Sequence, residues 1–573
     1  MNLPIAQLTT SVRATLLRRS AQLVWLLILA ASVLVASTWR HYNAIWDEPE
    51  HLGAGMQLLQ RDFYTYDVQH PPLARMAMAL GPHLAGARLT DVPGARGGEQ
   101  AGRELLYNSG HYDLYLHLAR AGMLPFLAIL LWSTWAWARH SHGAGTALLA
   151  TLLLVSTPPL LGHAGFAALD IPGAAMFTLA CYCLLRWFET HSWRFAMFAG
   201  AASGLAIASK MSALPFIGLA GLAWLICWWF SRARRDNTGV VASTSPGRWW
   251  TQAVSIVLLT LICASLTYSL EFRYTVTDQQ PVNAAWTFLF GDSGWAHDAV
   301  HALARNVPLP TGLEHLVLSI QALLKHNSDG HLSYLLGQHS HSGFVHFYVV
   351  ALAVKTPLPL LVFGLAGLIL LVLRARRLGW TIAAPSIAFV VLLAFCSFYS
   401  RINIGLRHVF VLYPLLCLAA AALIVELWQR YHQRLAHAAL VLLVGWQVSL
   451  LYSAYPDYLA WFNVTAGKHP EHILIDSDLD WGQDVARLRQ RLTALRVDQF
   501  VFVYRGSLDL VAEGLPGVRM AEPLQPTTGW VAASLYARET EWEGKAFAWL
   551  RQYTPQERIG ASIELYYIPE ATH

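Results

Sequence analysis

The sequence predicts a polytopic α-helical membrane protein with two long external loops and a small α/β domain at its C-terminal end. Of the 573 residues, 55% are hydrophobic and only 13% are charged, and the mean hydropathy is +0.39. An average soluble domain has about 25% charged residues. Apolar runs long enough to cross a hydrocarbon core of roughly 30 Å as helices recur along most of the chain, and we count about eleven.

The predicted spans are separated at two places by polar segments that are too long for turns. A polar stretch of about eighty residues follows the first span, and a second one follows the seventh. We expect both to be functional loops. The predicted spans cover residues 21–39, 121–137, 146–161, 171–188, 195–208, 214–230, 251–270, 356–373, 380–399, 408–428 and 435–453.

These segments predict a transmembrane domain at 1–455, with loops at about 40–120 and 271–355, and a soluble domain at 456–573. With eleven spans, the basic residues of the short loops all face one side, which the positive-inside rule makes cytoplasmic. In the cell inner (plasma) membrane, the N-terminus is then cytoplasmic, and both long loops and the soluble domain are periplasmic or luminal. These basic residues are Arg13, Arg18, Arg19, Arg139, Arg186, Arg194, Arg232, Arg234, Arg235, Arg248, Arg374, Arg376, Arg377, Arg430 and Arg434.

The hydrophilic tail has an α/β pattern. Apolar residues from Val485 to Leu495 keep helical spacing after Gly482. Runs rich in β-branched and aromatic residues predict four strands, at 473–475, 499–504, 530–536 and 563–568.

The segment DSDLDWGQD at 476–484 lies between the first predicted strand and this helix, and it holds four carboxylates and an indole. Its acids could bind sugar hydroxyls or a cation, or they could cap the helix for purely structural reasons. Both interpretations stay open. The substrate-binding candidates in this segment are Asp478, Asp480, Trp481 and Gln483.

Several acids lie at the lip of the membrane. Asp47 and Glu48 fall in WDEPEH at 46–51, about eight residues after the first span, and His70 falls in QHPPL at 69–73. Asp170 directly precedes another span, where an unpaired charge is costly unless it faces a polar cavity. Solvation or helix capping is the structural alternative for these acids. Because these residues are predicted to lie on the same side of the membrane, we favour a role in chemistry at the membrane surface.

The order of the motifs resembles the membrane-embedded GT-C glycosyltransferases. The resemblance is greatest to the protein O-mannosyltransferase-like group (glycosyltransferase family 39) and its aminoarabinose-transferase relatives, and it extends over nearly the whole chain. The motifs that carry it are Trp46-Asp47-Glu48, Gln69-His70-Pro71-Pro72-Leu73, Ala168-Leu169-Asp170-Ile171-Pro172, 204–210, Tyr334-Leu335-Leu336-Gly337, Val354-Lys355-Thr356-Pro357, Asn403-Ile404-Gly405-Leu406-Arg407-His408 and 478–484.

The resemblance implies an inverting transfer of a sugar from a polyprenyl- or dolichyl-phosphate donor to a hydroxyl acceptor on the external face. An acceptor alcohol is a poor nucleophile, so a carboxylate must accept its proton during attack. We expect Asp47 to be this base, and Glu48 to orient Asp47 or a substrate hydroxyl. The resemblance places Asp170 in the same site. His70 is a further substrate-binding candidate.

The leaving lipid phosphate gains charge as the glycosidic bond breaks, and it needs fixed cations near the external ends of the spans. Lys210, Arg401 and Arg407 meet this need, because arginines on the outer face run against the positive-inside bias. His408 adds a hydrogen bond. Lys355 is a weaker candidate for binding substrate, since a lysine at a helix end often only extends its amine towards the interface.

No metal site is assigned. Four histidines of the second loop have mixed spacings that can ligate zinc, but no strong metal signature accompanies them. We expect polar residues lining a substrate cleft, and a requirement for a divalent cation stays open. These residues are His331, His339, His341 and His346.

Two other classes of protein stay open. A transporter or flippase of a lipid-linked glycan would show symmetry between halves and charges at mid-span depth. A membrane scaffold would not need acids and cations converging beside the membrane. The net charge of +5 reflects topology and not nucleic-acid binding. The expected partners are the donor lipid, membrane lipids and a protein, lipid or polysaccharide acceptor.

Overall fold

The computed structural model describes residues 19–62, 64–90, 97–236, 246–269, 271–273 and 283–570. Within them, nine helices are long and apolar enough to cross a membrane, or ten if one bent pair counts as a span. The predicted fold class, a polytopic helical membrane protein with a small C-terminal sheet domain, is confirmed. Arg13 and Arg18 of the predicted orientation lie outside the described residues.

Each of the eleven predicted spans has a helical counterpart, but two are not full straight spans. Trp193–Ser209 has only 17 residues, because the backbone becomes extended at Lys210. Ala144–Val155 and Pro158–Ala164 meet at 69°. Thr157 between them is extended, as expected before a proline, and this breaks the helix.

The helices of the membrane region are predominantly apolar and pack mainly against one another. Among the nine straight candidate spans of the described residues, Asp170–Thr190 has the largest buried share, 83% of its most apolar stretch. The helices are Ser20–Thr38, Tyr112–Ala121, Leu124–His142, Ala144–Val155, Pro158–Ala164, Asp170–Thr190, Trp193–Ser209, Ala213–Asp236, Pro246–Leu266, Leu358–Leu378, Ala384–Tyr399, Leu412–Arg430 and Arg434–Ser453.

Both long loops contain helices of their own. In the first loop these are Glu48–Arg61, Pro72–Leu84 and Gly98–Tyr107. In the second loop they are Ala284–Phe290, Trp295–Asn306, Thr311–Asp329 and Phe347–Lys355. Two small antiparallel pairs of strands accompany them, Phe272–Arg273 with Leu309–Pro310 and Ser333–Leu335 with Gln338–Ser340.

The tail folds around a five-stranded mixed sheet. Three neighbouring strands are parallel, and the last two pairings are antiparallel. In spatial order the strands are Val518–Met520, Phe500–Val503, Gly529–Ser534, Ile563–Ile568 and Glu557–Ile559. The helices of the tail are Val485–Ala494 and Leu535–Thr540.

One of the four predicted strands is wrong. Residues 473–475 form a turn and a short irregular stretch that follow the 3-10 helix Pro470–His472. The Ile473 carbonyl accepts a hydrogen bond from the Leu336 amide in the second loop at 3.0 Å. The apolar run is therefore buried against a neighbouring loop. A buried segment of this kind has the same apolar composition as a buried strand, so the sequence pattern did not distinguish the two.

The tail contacts both long loops. The Trp46 amide of the first loop donates to the Trp481 carbonyl at 3.1 Å. His339 of the second loop donates through Nε2 to the Glu539 carbonyl at 2.7 Å. The two loops and the tail consequently meet on one side of the helical region, where the polar motifs gather.

Candidate active site

Asp47 immediately precedes the helix Glu48–Arg61, and its carboxylate faces a cation from a distant part of the chain. Arg407 donates to it at 2.6 Å. Arg407 lies in the 3-10 helix Leu406–Val409, just before the membrane helix Leu412–Arg430. The Asp47 side chain remains 25% exposed. It is therefore ion-paired and still open to a ligand.

A second ion pair joins two membrane helices. Lys210, which ends the helix Trp193–Ser209, donates to Asp170 at 2.6 Å. Asp170 begins the helix Asp170–Thr190, where a negative charge is favoured by the helix dipole. The lysine side chain crosses Gly173, where an added Cβ would lie only 2.8 Å from the lysine Cβ. The second carboxylate oxygen of Asp170 is buried without a hydrogen-bond partner among the described residues.

A small cleft, which we call the phosphate cleft, is lined by the Asp170–Lys210 ion pair and by Arg407, the partner of Asp47. Asp170 and Lys210 line it together with Arg407 and His408. Phe216 and Phe410 contribute apolar walls. Two cations thus converge in a partly apolar cleft, where an anion would bind more strongly than in water.

Electrostatics keep Asp47 ionised. Burial raises the pKa of its carboxyl, but the charge and hydrogen bond of Arg407 and the charge of His51 outweigh this and leave it below the ordinary value. Burial and the charges of Lys210 and Arg407 hold the pKa of His408 well below its ordinary value. His408 is therefore a neutral hydrogen-bonding group at pH 7.

Glu48 has a different environment from its neighbour. Its carboxylate is 1% exposed and accepts two hydrogen bonds from Arg120, each at 2.8 Å. The amides of Ile45 and Ala167 also donate to it, at 2.9 and 2.8 Å. Glu48 therefore joins the loop that carries Asp47 to the segment before Asp170.

Trp481 fixes the guanidinium of Arg407. The guanidinium carbon lies 4.4 Å from the centre of the indole ring, as in a cation–π contact. His163 packs against the same indole, with 5.3 Å between the ring centres. Trp481, a residue of the tail, thus helps to orient the guanidinium of Arg407, a residue of the membrane region.

Three carboxylates of the acid-rich segment hold backbone groups of other segments. Asp478 accepts from the Leu406 amide at 3.1 Å with both oxygens. Asp480 accepts from Ser534 and the Tyr536 amide. Asp484 accepts a hydrogen bond from the Ser562 hydroxyl, and Gln483 donates to the Leu479 carbonyl.

Asp478 is thereby a positioning group for the segment that carries Arg407. Lys355 is buried beside it and donates to the carbonyls of Leu459 and Asp478 at 2.7 and 2.6 Å. Burial raises the pKa of Asp478 and lowers that of Lys355. Lys355 is held by these protein partners and does not line the phosphate cleft.

His70 belongs to a separate network in the first loop. Its Nδ1 donates to Asp67 at 2.6 Å, and Asp67 also pairs with the buried Arg75. Arg75 in turn contacts His51. His51 links this network electrostatically to Asp47.

Arg401 and the histidines of the second loop lie outside the phosphate cleft. Arg401 is exposed, and its side chain donates to the Ser328 carbonyl at 3.4 Å. His331 contacts the Leu332 carbonyl. In the described part of the chain, no group of three or more His, Cys, Asp or Glu residues is arranged to hold a metal ion.

Sequence reasoning missed three residues that the structure brings to this region. Arg120 and Arg75 are fully buried cations, and Asn403 is a buried amide. Arg120 lies at the external start of a predicted span. An arginine there runs against the positive-inside bias, which is the signal that selected Arg407, so the same signal would also have selected Arg120. Asn403 had no sequence signal beyond its place in the motif.

The comparisons with known proteins agree with the motif resemblance. Residues 24–274 match the family model described as dolichyl-phosphate-mannose-protein mannosyltransferase. This segment contains Asp47, Glu48, Asp170 and Lys210, and it confirms the predicted resemblance to the protein O-mannosyltransferase-like group. No curated protein matches the sequence.

The solved structures to which this chain is similar include three proteins. ArnT from Cupriavidus metallidurans bound to undecaprenyl phosphate has a TM-score of 0.48 at 13% identity, covering 95% of this chain and 98% of that one. The S. cerevisiae protein O-mannosyltransferase Pmt1-Pmt2 complex bound to the sugar donor has a TM-score of 0.47 at 13% identity, and the match covers 78% of this chain and 91% of that one. Archaeal oligosaccharyltransferase AglB from Archaeoglobus fulgidus has a TM-score of 0.49 at 11% identity, and the match covers 96% of this chain and 75% of that one.

Proposed function

We propose that this chain, a glycosyltransferase by its family match, moves a sugar from a polyprenyl-phosphate donor to a hydroxyl acceptor with inversion at the anomeric carbon. One observation carries the proposal. The exposed edge of the Asp47 carboxylate lies beside Arg407, which lines the same cleft as Lys210. A base and two phosphate-binding cations thus stand together at the lip of the membrane.

The proposed reaction is a single displacement. The acceptor oxygen attacks the anomeric carbon, and its proton passes to the Asp47 carboxylate. The bond from the anomeric carbon to the phosphate oxygen breaks, and its electron pair stays on the departing polyprenyl phosphate. Because Asp47 stays ionised, it is ready to accept this proton at neutral pH.

Arg407 and Lys210 stabilise the leaving phosphate. Both cations are held by carboxylates before the donor arrives, so little reorganisation is needed during the reaction. His408 offers a neutral hydrogen bond at the same cleft. The apolar walls of the cleft suit the first isoprene units of a lipid, and the phosphate would then lie at the membrane surface.

The protein is a multi-pass membrane protein, and we propose that this cleft faces the periplasm or lumen. The arginines of the short loops support this orientation. Reporter fusions after about residue 456 test it. A tail that reports from the cytoplasm would contradict it.

The test of the function is a donor-consumption assay with the purified full-length protein. Undecaprenyl phosphates carrying mannose, glucose or aminoarabinose are supplied separately, with and without external-face glycan extracts as acceptors. Consumption of one donor and release of free polyprenyl phosphate support a transferase. If no donor is consumed while a labelled lipid-linked glycan crosses proteoliposomes that contain the protein, a flippase is the better assignment.

A further inference from the structure

His51 lies one helical turn after the proposed base. Asp47 precedes the helix Glu48–Arg61, and the His51 amide donates to the Asp47 carbonyl at 3.1 Å. Residues four positions apart lie on the same face of a helix, with their Cβ atoms about 5–6 Å apart. His51 is only 4% exposed. The imidazole and the Asp47 carboxylate are therefore neighbours on the face of this helix that carries the candidate base.

Arg75 determines which ring nitrogen of His51 carries the proton. Nδ1 of His51 faces the Arg75 guanidinium, with Nη2 at 2.9 Å and Nε at 3.2 Å. A guanidinium has only N–H donors and no acceptor, so Nδ1 must accept. The proton of the neutral ring is then on Nε2. Burial and the charge of Arg75 hold the pKa of His51 well below its ordinary value, so the ring is neutral at pH 7.

The packing of the first loop fixes this arrangement. Arg75 is fully buried, and its guanidinium also donates to the Tyr64 hydroxyl at 2.7 Å and to the Asp67 carbonyl at 3.2 Å. It pairs with the Asp67 carboxylate as well. The helices that carry His51 and Arg75 approach so closely that a Cβ at Gly55 would lie 2.2 Å from the Arg75 carbonyl oxygen. A flip of the imidazole would break both of its hydrogen bonds from Arg75.

Two hydrogen-bonding groups beside the candidate base are unused. In the described part of the chain, His51 Nε2 has no hydrogen-bond partner. Arg407 donates to Oδ2 of Asp47, and Oδ1 has no partner among the described residues. The Asp47 side chain is 25% exposed, so a ligand can reach it. An oxygen that both accepts and donates a hydrogen bond would connect the N–H group of His51 with the carboxylate.

The acceptor of the proposed reaction supplies such an oxygen, because a hydroxyl has one hydrogen and two lone pairs. We propose that His51 orients the acceptor hydroxyl: Nε2–H donates to one lone pair, and the other lone pair attacks the anomeric carbon. The hydroxyl proton passes to Asp47, and the electron pair of the broken bond between carbon and phosphate oxygen leaves with the phosphate. This inference rests on the proposed function.

The same arrangement makes His51 a specificity-determining residue. A neutral amine has a single lone pair, which it needs for the attack, so it cannot also accept from Nε2 of His51. An oxygen nucleophile can do both. His51 cannot replace Asp47 as the base, because Arg75 occupies the lone pair on its Nδ1. His51 therefore selects and orients the hydroxyl, and Asp47 removes its proton.

Two substitutions separate this role from a structural one. His51→Asn places an amide oxygen near the position of Nδ1, so it keeps an acceptor for Arg75 but has no group in place of Nε2. His51→Gln places its amide nitrogen near the position of Nε2, so it keeps the donor but leaves Arg75 without this acceptor. His111→Asn, a change at an exposed histidine of the same loop, is the matched control.

Sugar transfer by the full-length protein is measured with the donor that the donor-consumption assay selects, while the external-face glycan extract is varied as the acceptor. His51→Asn should lower kcat/KM for the acceptor by about tenfold to a hundredfold, because the hydroxyl is no longer held for attack. Its donor binding and thermal stability should equal those of the wild type. His51→Gln should recover most of the transfer although its thermal stability falls. His111→Asn should match the wild type.

The opposite order of the two His51 variants overturns the proposal. Normal transfer by His51→Asn, or loss of its fold, would make His51 only a structural partner of Arg75. Equal losses in both variants, a loss in the donor KM alone, or a wild-type product that carries the sugar on nitrogen would also contradict it. These results overturn the role of His51 and leave the transferase standing. If the wild type transfers no sugar from any donor, the proposed function itself fails.

Discussion

Asp47 and Glu48 are neighbours in the sequence, but the structure gives them opposite environments. Asp47 has one charged partner and an open edge. Glu48 is buried and saturated by Arg120 and two backbone amides. A reactive carboxylate needs access, whereas a structural one needs partners. Asp47 is thus the candidate base, and Glu48 holds the segment that carries Asp47 in place.

The largest expected effect comes from Asp47→Asn. The amide keeps nearly the same size but cannot accept the proton of the acceptor, so we expect kcat to fall about a hundredfold to ten-thousandfold. Product formation from the donor that the donor-consumption assay selects measures it, after donor binding and thermal stability have been shown to be normal.

Asp62→Asn is the matched control, because Asp62 ends the same helix in a left-handed conformation that asparagine also adopts. It should transfer sugar at the wild-type rate. Near-normal transfer by the Asp47→Asn protein would mean that Asp47 is not the base, and Asp170 would then be tested first.

Glu48→Gln should act mainly on stability. It leaves the fully buried Arg120 without its counter-charge, and breaking such a buried pair costs about 3–5 kcal/mol. Unfolding of the detergent-solubilised protein by heat or denaturant measures the loss. Adding Arg120→Met should recover part of it. Normal stability with a large loss of kcat would instead make Glu48 a participant in the chemistry.

Arg407→Ala and Lys210→Ala should weaken use of the donor by roughly tenfold to a thousandfold, because each removes a charge-assisted contact to the phosphate. Steady-state kinetics with varied donor measures this effect. Arg401→Ala should stay near the wild-type rate, since Arg401 lies outside the phosphate cleft. Unchanged donor kinetics in both cleft variants would remove them from the phosphate site.

The smallest expected effect is a shift in pH dependence. Because the pKa of Asp47 is lowered, the carboxylate is ionised above the ordinary value near 3.9, and activity is lost only as the pH falls through the lowered pKa. Arg407→Gln removes the main lowering influence and leaves burial, which raises the pKa.

The acidic limb of kcat/KM should then move upward by about 1–3 pH units in the Arg407→Gln protein. Profiles from about pH 2 to pH 8, each point checked for an intact fold, measure it, with Arg401→Gln as the comparison. An acidic limb at the same pH in all three proteins would show that ionisation of Asp47 does not limit the reaction.

The sequence by itself determined the membrane class, the approximate spans and the external motifs. Apolar runs of span length and positions of charges against the positive-inside bias are local properties, so Asp47, Asp170, Lys210 and Arg407 could be selected without a structure. The sequence could not separate the real strands from the apolar turn at 473–475, because burial against a loop produces the same composition as burial in a sheet.

Only the tertiary structure decided which partners these residues have. Arg407 reaches Asp47 across 360 positions of the chain, and Arg120 reaches Glu48 across 72. The same holds within the acid-rich segment, where Asp478 holds a backbone amide and Asp476 faces a cleft. Identical side chains a few positions apart differ in role because burial and long-range partners, which no local pattern encodes, determine their access and charge.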